Sequence, residues 1–438
     1  MNSHKIPPNS SPPAFTSDFG AMIAVFIWTS TGFYFFDFVI PYVSAQILHI
    51  SGTELGIVFS VITIGVMVSS PISGWVTDHL PKRWFVVGGT IGRGISYLII
   101  YVSIIARSYW GFMFGCFFLG LAVSFVWVPL NAIIAQKSCP ERRSEAYSKR
   151  DLAVGIGTLI GGLIGFSIFS IFSEYAPENF ALIYISLILF AGANFYGAWL
   201  FSRKIRDEIT YDNCVPNLSF ERNRDPSTSS VIPAWKLRRL LFLGVLLLLV
   251  AVFVSATNER IAKPFIQFYL FDYLTSDPQI VMLVYLPTGV ISLLITPLLG
   301  KWADQINPKY GLVIVATLGA ITTWALISTR SVVLFAILLV FDAAFATAAA
   351  LILDNFFSRI SKKNRGKLLG LRTFIGQIGG IIGPILGGYL WDHLSHRSPF
   401  QLSIFVELLL IPLIVAAVSI LIPMLDEKTA NSGNLETF

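Results

Sequence analysis

Charge is what this 438-residue chain has least of. Asp, Glu, Lys and Arg make up 13% of it, against about 25% in a soluble domain. That deficit excludes a water-soluble globule. With 55% hydrophobic residues and a mean hydropathy of +0.71, the chain belongs in a bilayer. Cysteine is scarce too, and Cys116, Cys139 and Cys214 make no disulfide framework. No Gly-rich Lys-Ser/Thr phosphate loop occurs, which speaks against direct use of ATP. No constellation for covalent chemistry appears, so the expectation is a protein that is not an enzyme and uses no cofactor. His393 and His396 could share a helix face, but two histidines without acids or cysteines are a poor metal site. The net charge of +6 comes from bases scattered among loops, which reads as a topology signal and not as a nucleic-acid footprint.

What fills the chain instead is apolar sequence. Twelve stretches of about 20 residues begin near Phe19, Glu54, Trp84, Tyr109, Leu152, Phe180, Leu240, Ile280, Tyr310, Val332, Lys367 and Leu402. At about 1.5 Å per residue each spans a hydrocarbon core of about 30 Å. Lipid offers the backbone no hydrogen bonds, so uninterrupted apolar runs of this length are helices; barrel strands would be about ten residues of alternating polarity. The fold class is all-α, integral to the membrane, with twelve transmembrane helices. Assigned alternately to the two sides, 24 of the 31 Lys and Arg residues fall with the amino terminus, and only Arg107, Arg330 and Arg397 fall in the loops opposite. Bases collect in cytosolic loops. Both termini are therefore expected in the cytosol, with the plasma membrane as the location. The polar, Pro-rich tail before Phe19 and the absence of a small-residue cleavage pattern make the first run a retained helix and not a signal peptide.

The chain also repeats itself. Gly74 and Asp78 in "GWVTDHLPKRW" recur as Gly300 and Asp304 in "GKWADQINPK", 226 positions later. Pro41 meets Pro264 at 223, Arg143 and Arg150 meet Arg365 and Arg372 at 222, and "GTLIGGLIG" from Gly157 meets "GGIIGPILG" from Gly379 at 222. A near-constant offset along half a chain signals two copies of one six-helix unit. The expected plan is a tail over 1–18, a bundle over 19–202, a polar linker over 203–238, a second bundle over 239–424 and a tail over 425–438.

With its doubled glycine-acid-base turn, the sequence resembles the major facilitator superfamily of transporters across essentially all twelve helices. Gly74, Asp78, Lys82 and Arg83 match that family's inner-loop signature, and Gly300, Asp304 and Lys309 match its weaker second copy. The resemblance implies two pseudo-symmetric six-helix bundles that rock about a central site. It also implies that each aspartate meets the positive start of a helix in the other half, holding the cytosolic side shut: Asp78 against helix 11 near Lys367, Asp304 against helix 5 near Asp151. Two features of the family's drug-exporting antiporters are absent. Helix 5 has Gly161 and Gly162 without the expected proline, and Cys116 stands where those exporters carry an arginine in helix 4.

Charges inside the bilayer cost at least about 2.5 kcal/mol each, so each needs a partner or a purpose. Asp37 lies in the outer third of helix 1, and the offset of 223 lands on Arg260; the pair is the candidate outer gate. Glu259 and Lys263 are spaced to satisfy each other along helix 7. Asp342 sits near mid-membrane in helix 10 and has no charged equivalent in the first half. Low dielectric favours the neutral carboxyl, which suits a group that takes up and releases a proton. Arg93 also lacks a counterpart, in a helix that the resemblance makes peripheral. Polar cavity candidates are Trp28, Tyr34, Trp127, Asn131, Asn258 and Gln377. Gly157, Gly161, Gly379 and Gly383 put small residues on one face of helices 5 and 11, either as a sliding interface between halves or as simple tight packing.

The resulting expectation is a monomeric secondary active transporter of a small organic solute, coupled to protons, with lipid as its surroundings. A receptor or sensor that keeps the fold without transporting is the alternative. Intact aspartate turns in both halves favour the transporter, because a sensor need not rock. Uptake and export use the same scaffold and are not separated.

Overall fold

The computed structural model describes residues 15–139, 143–206, 234–275, 277–360 and 365–430. Some side chains inside helices lie outside the described set as well, among them those of residues 78, 300, 304 and 354–370. Fifteen α-helices follow one another: α1 (Phe19–Ser30), α2 (Phe33–Gln46), α3 (Gly52–His79), α4 (Lys82–Ile105), α5 (Tyr109–Gln136), α6 (Arg143–Tyr175), α7 (Phe180–Ile183), α8 (Ser186–Lys204), α9 (Ala234–Ala262), α10 (Ile266–Tyr273), α11 (Pro278–Gln305), α12 (Pro308–Ser328), α13 (Val332–Ile360), α14 (Arg365–His393) and α15 (Ser398–Ala430). Spans 1, 6 and 7 are each built from two segments, α1–α2, α7–α8 and α9–α10. Eleven of the twelve spans are long and apolar enough over described residues to cross a bilayer; span 8 is α11, whose described apolar stretch is Gln279–Gly289. The face where span 1 begins is called proximal, and the opposite one distal.

Short caps end the helices. Ser51 and Glu54 form a reciprocal capping box at the start of α3, which satisfies two otherwise orphaned donors. Ser108 caps α5, while Asp277 and Asn307 cap α11 and α12 just ahead of Pro278 and Pro308. Span 1 breaks at Thr31 and Gly32, where Gly32 lies against the Tyr97 ring. The carbonyls freed by a break need donors. Arg93 supplies one, bonding the Thr29 carbonyl at 2.7 Å with its guanidinium 4.5 Å from the Phe33 ring. A fully buried arginine thus has a structural employment at the break. Span 7 is interrupted by a 3₁₀ turn over Lys263–Phe265, because Pro264 has no N–H for the helical ladder.

The glycine rows expose the duplication in three dimensions. A Cβ on Gly157 or Gly161 would strike the carbonyls of Ile27 and Thr31, and one on Gly379 or Gly383 would strike those of Phe253 and Thr257. The same contact is made twice, span 5 on span 1 and span 11 on span 7, each inside its own bundle. This removes the expectation that these four glycines face across the seam between the halves. Their missing side chains are used up in letting two backbones of one bundle touch. The contacts also correct the register: in spans 1 and 7 equivalent residues are 226 apart, so Asp37 corresponds to Lys263, and Tyr34 to Arg260.

Three apolar cores form among the described residues. One is confined to spans 1 to 6 on the proximal side, around Phe26, Leu130 and Phe201. A second is confined to spans 7 to 12 on the proximal side, around Val252, Ile352 and Val418. The third lies distally and is shared by both bundles, joining Phe35, Val43, Phe169 and Tyr184 to Phe265, Tyr269, Phe335 and Trp391.

A buried clasp closes the proximal end of the first bundle. Lys137 at the end of α5 pairs with Asp18 at 2.6 Å, and the two side chains are 2% and 6% exposed. Lys137 Nζ also donates to the Arg206 carbonyl at 2.9 Å, and Thr16 Oγ1 donates to Asp18 at 2.7 Å. Removing one partner of such a pair strands the other charge, at a cost of about 3–5 kcal/mol. Lys137→Met is expected to lower the stability of the full-length protein in detergent by that amount. The Lys137→Met/Asp18→Leu double variant should recover much of the loss. A single variant within about 1 kcal/mol of the parent would mean that the clasp carries no load.

Candidate functional site

The seam between the bundles is closed distally. At the distal start of α3, the Asp392 carboxylate of span 11 accepts from the Gly52 N–H at 2.9 Å, the Thr53 N–H at 2.8 Å and the Thr53 hydroxyl at 2.5 Å. A carboxylate at a helix start meets both unpaired N–H groups and the positive end of the dipole. Just below, Gly56 lies on the Pro384 carbonyl and Gly388 on the Gly52 carbonyl, approaches that leave no room for a Cβ. One turn deeper, Ser60 Oγ donates to the Ile381 carbonyl at 2.7 Å, with its own-helix Gly56 carbonyl also in reach at 2.8 Å. On the other flank the Tyr34 hydroxyl bonds the Tyr285 carbonyl and accepts from the Gly289 N–H at 3.1 Å. Tyr42 and Phe271 bring their rings to 5.4 Å.

Sequence reasoning missed Asp392, Ser60 and Gly56. A usable signal existed for the first. At the offset of 222, Asp392 faces Ser170, so its charge breaks the repeat in the same way that Asp342 does.

Below this seal a cavity of about 200 Å³ opens at mid-depth, lined by Thr63, Ala256, Glu259, Arg260, Thr373, Gly376, Gln377 and Gly380. Of the polar candidates, Gln377 is brought here. Tyr34 is brought to the seam as described. Asn258, on span 7, is buried with its Oδ1 lacking a partner. The other three are placed within the first bundle. Trp28 packs edge-on against Tyr196 with centroids 4.9 Å apart, Trp127 sits between Phe26 and Phe33, and Asn131 accepts from Arg150 at 2.6 Å.

The intramembrane charges share one neighbourhood. Asp37 is exposed although its chain neighbours Phe36 and Phe38 are buried. The field it feels comes first from Lys263 and then from Arg260. Among the described residues Asp37 and Arg260 form no ion pair within 4.0 Å. The expected Glu259–Lys263 pair is also absent, because the 3₁₀ turn at Lys263 ends the helical spacing that would bring them together. Lys263 instead acts on Asp342 as well, and Asp342 has Thr323 Oγ1 at 3.5 Å. Glu407 of α15 joins from behind, its carboxylate against Gly319 and its Oε2 without a partner. Lys263 and Arg260 of span 7 thus act on Asp37 of span 1, and Lys263 and Glu259 act on Asp342 of span 10.

On the proximal side, Gly74 has open space around it and Arg83 bonds the Ser202 carbonyl of its own bundle. Lys82 begins α4, and Lys309 donates its backbone N–H to Asn307 at 3.0 Å. The side chains of Asp78 and Asp304, and Gly300, lie outside the described residues, as does Lys367, so their expected latch contacts are not described. Asp151, the neighbour expected for Asp304, is paired with Arg150 at 2.7 Å. His393 stacks on Tyr389, and His396 meets Asp272 at 3.0 Å. No metal cluster forms among the described residues.

Comparison with known proteins follows from this geometry. The sequence pattern of the Major Facilitator Superfamily matches residues 21–250 and again 248–436. Multidrug resistance protein 2 of Bacillus subtilis (strain 168) is 24% identical over 369 residues, covering 82% of this chain and 85% of that one. Multidrug resistance protein 1 of the same organism is 23% identical over 361 residues, covering 81% and 85%. Among solved structures, a bacterial homologue of the human lysosomal transporter Spinster, inward-facing and unoccupied, superimposes with a TM-score of 0.63 at 14% identity over 97% of this chain and 98% of that one. A structure from work on substrate recognition in proton dependent oligopeptide transporters reaches 0.67 at 12% identity, over 94% and 99%. Two bundles related by an internal repeat, closed against each other on one face and matched twice by one family pattern, make this chain a member of the major facilitator superfamily of membrane transporters.

Proposed function

We propose that this protein is a secondary active transporter that moves a small organic solute by alternating access, with protons as the coupling ion. One observation carries the reading. The described seam contacts run from the distal rim, where Asp392 meets Gly52, down to mid-depth, where Thr63 lies beside Gly380, and the core shared by both bundles is distal, whereas on the proximal side each bundle has a core of its own. Bundles joined at one end only are free to exchange which end is joined. Residues 19–202 and 239–424 are the two moving bodies, and 203–238 connect them. The excess of Lys and Arg on the proximal face supports a cytosolic position for that face and for both termini, in the plasma membrane. The described state is then open to the cytosol, and Asp78 and Asp304 act when that side shuts.

Asp342 is the proton-carrying group in this reading. It stands at mid-span with a weak hydrogen bond from Thr323 Oγ1, and Lys263 is the cation that acts on it. Asp37 and Lys263, equivalent by register and closest in electrostatic influence, form the charged outer gate in place of Asp37 and Arg260.

Three measurements test the proposal. In vesicles, the wild type should show solute-dependent proton flux, and Asp342→Asn should lose it while retaining solute exchange; unchanged flux would remove Asp342 from coupling. Reversing Asp37 or Lys263 alone should abolish transport. Exchanging the two should restore part of it, more than exchanging Asp37 with Arg260; equal failure would sink the gate. For the seal, Asp392→Ala removes one charge-assisted acceptor of three bonds, each worth about 1.5–3 kcal/mol. In a variant with its cysteines replaced and Ser60→Cys added, Asp392→Ala should speed labelling by an impermeant thiol reagent from outside by about tenfold or more. An unchanged rate would mean that Asp392 does not hold the distal side shut.

A further inference from the structure

The mid-depth cavity differs from a drug pocket in both size and lining. Sites for drug-sized ligands run about 300–1,000 Å³ and are mostly apolar. This one measures about 200 Å³, and among its described lining residues Ala256 is the only wholly hydrocarbon side chain. Thr63 enters from span 2, Thr373 and Gln377 from span 11, and Glu259 and Arg260 from span 7. The last two are consecutive on α9, so they point about 100° apart around the helix and cannot fold onto each other. Neither has an ion-pair partner within 4.0 Å among the described residues. Lys263, in the 3₁₀ turn that follows α9, acts electrostatically on Asp37 and Asp342. The stem of Arg260 is fixed, because its Cβ packs against Gly383. Two opposite full charges therefore flank a small polar space, held apart by the helix that carries them. A lone cation or anion would satisfy one and leave the other without a partner.

We propose that this cavity seats a small zwitterionic solute, its ammonium group at Glu259 and its carboxylate at Arg260. The proposal rests on the transporter reading and names its substrate class. The planar guanidinium fork takes both carboxylate oxygens together, while the Gln377 amide and the Thr63 hydroxyl fix the body of the solute. The seat lies one turn below the point where Ser60 meets Ile381, so the bundle that closes over the solute is the one whose movement admits it.

The test uses purified full-length protein in detergent and follows thermal unfolding with ω-amino acids from glycine to 6-aminohexanoate. Each is set beside the unbranched amine and the unbranched acid of the same chain length. At least one zwitterion is expected to raise the unfolding temperature in a saturable way, and its matched amine and acid to leave it unchanged. Glu259→Gln and Arg260→Gln should each weaken that binding by about ten- to hundredfold, with Arg260→Lys between them and the wild type. Should Glu259→Gln fail to fold, Arg260→Lys and Gln377→Leu carry the same comparison. Absence of stabilisation by any zwitterion, equal stabilisation by an amine or acid alone, or wild-type affinity in both charge variants would overturn the seat. Reconstitution separates this from the transporter reading. Saturable binding of a zwitterion that is never taken up into proteoliposomes keeps the seat and overturns transport. Uptake of ethidium by a protein that binds no zwitterion keeps transport and overturns the seat.

Discussion

Backbone touching backbone is the constraint on which the rest of this molecule depends. Where Gly161 meets the Thr31 carbonyl and Gly383 meets the Thr257 carbonyl, two helices approach as closely as their main chains allow. Such contact is short-ranged and geometrically demanding, so it makes each bundle a stiff body. The same device appears across the seam, at Gly56 on Pro384 and Gly388 on Gly52, but there it is confined to one end. A contact of this kind is either made or lost; it does not stretch. Two stiff bodies that meet through it are held firmly at that end.

Polar groups are distributed in two ways. Inside the first bundle, charges are locked by direct bonds: Asp18 with Lys137, Arg150 with Asn131, Arg93 on the Thr29 carbonyl. Around the cavity they are not. Glu259 and Arg260, which line it, and Asp37 and Lys263 beyond it close no ion pair among the described residues. Unclosed charges are costly in a membrane and are tolerated where water, protons or solute can reach them. The contrast between locked and open charges separates scaffold from working surface more sharply than residue type does.

Much of this was legible in the sequence, for physical reasons. Twelve helices follow from apolar length, since lipid leaves the backbone no other choice, and the internal repeat gave two bundles. What failed was the register between spans 1 and 7. Pro41 and Pro264 look equivalent, but the first lies inside a helix and the second in a 3₁₀ turn, so aligning them shifted the register equivalent of Asp37 from Lys263 to Arg260. Spacing likewise announced that Gly157, Gly161, Gly379 and Gly383 admit a neighbouring backbone, but it could not say whose. Asp392 went unread because it sits at a helix end, where a charge attracts no notice until the helix start it caps is known.

Ser60 carries one last consequence. Its single hydroxyl proton has two carbonyls within reach, Ile381 across the seam at 2.7 Å and Gly56 on its own helix at 2.8 Å. When the bundles part, the proton swings home and no donor is orphaned, so the seam can unzip at this depth without waiting for water to arrive. A seam contact of this kind is given up with little enthalpic penalty, whereas at the rim Asp392 must exchange three bonds for new ones.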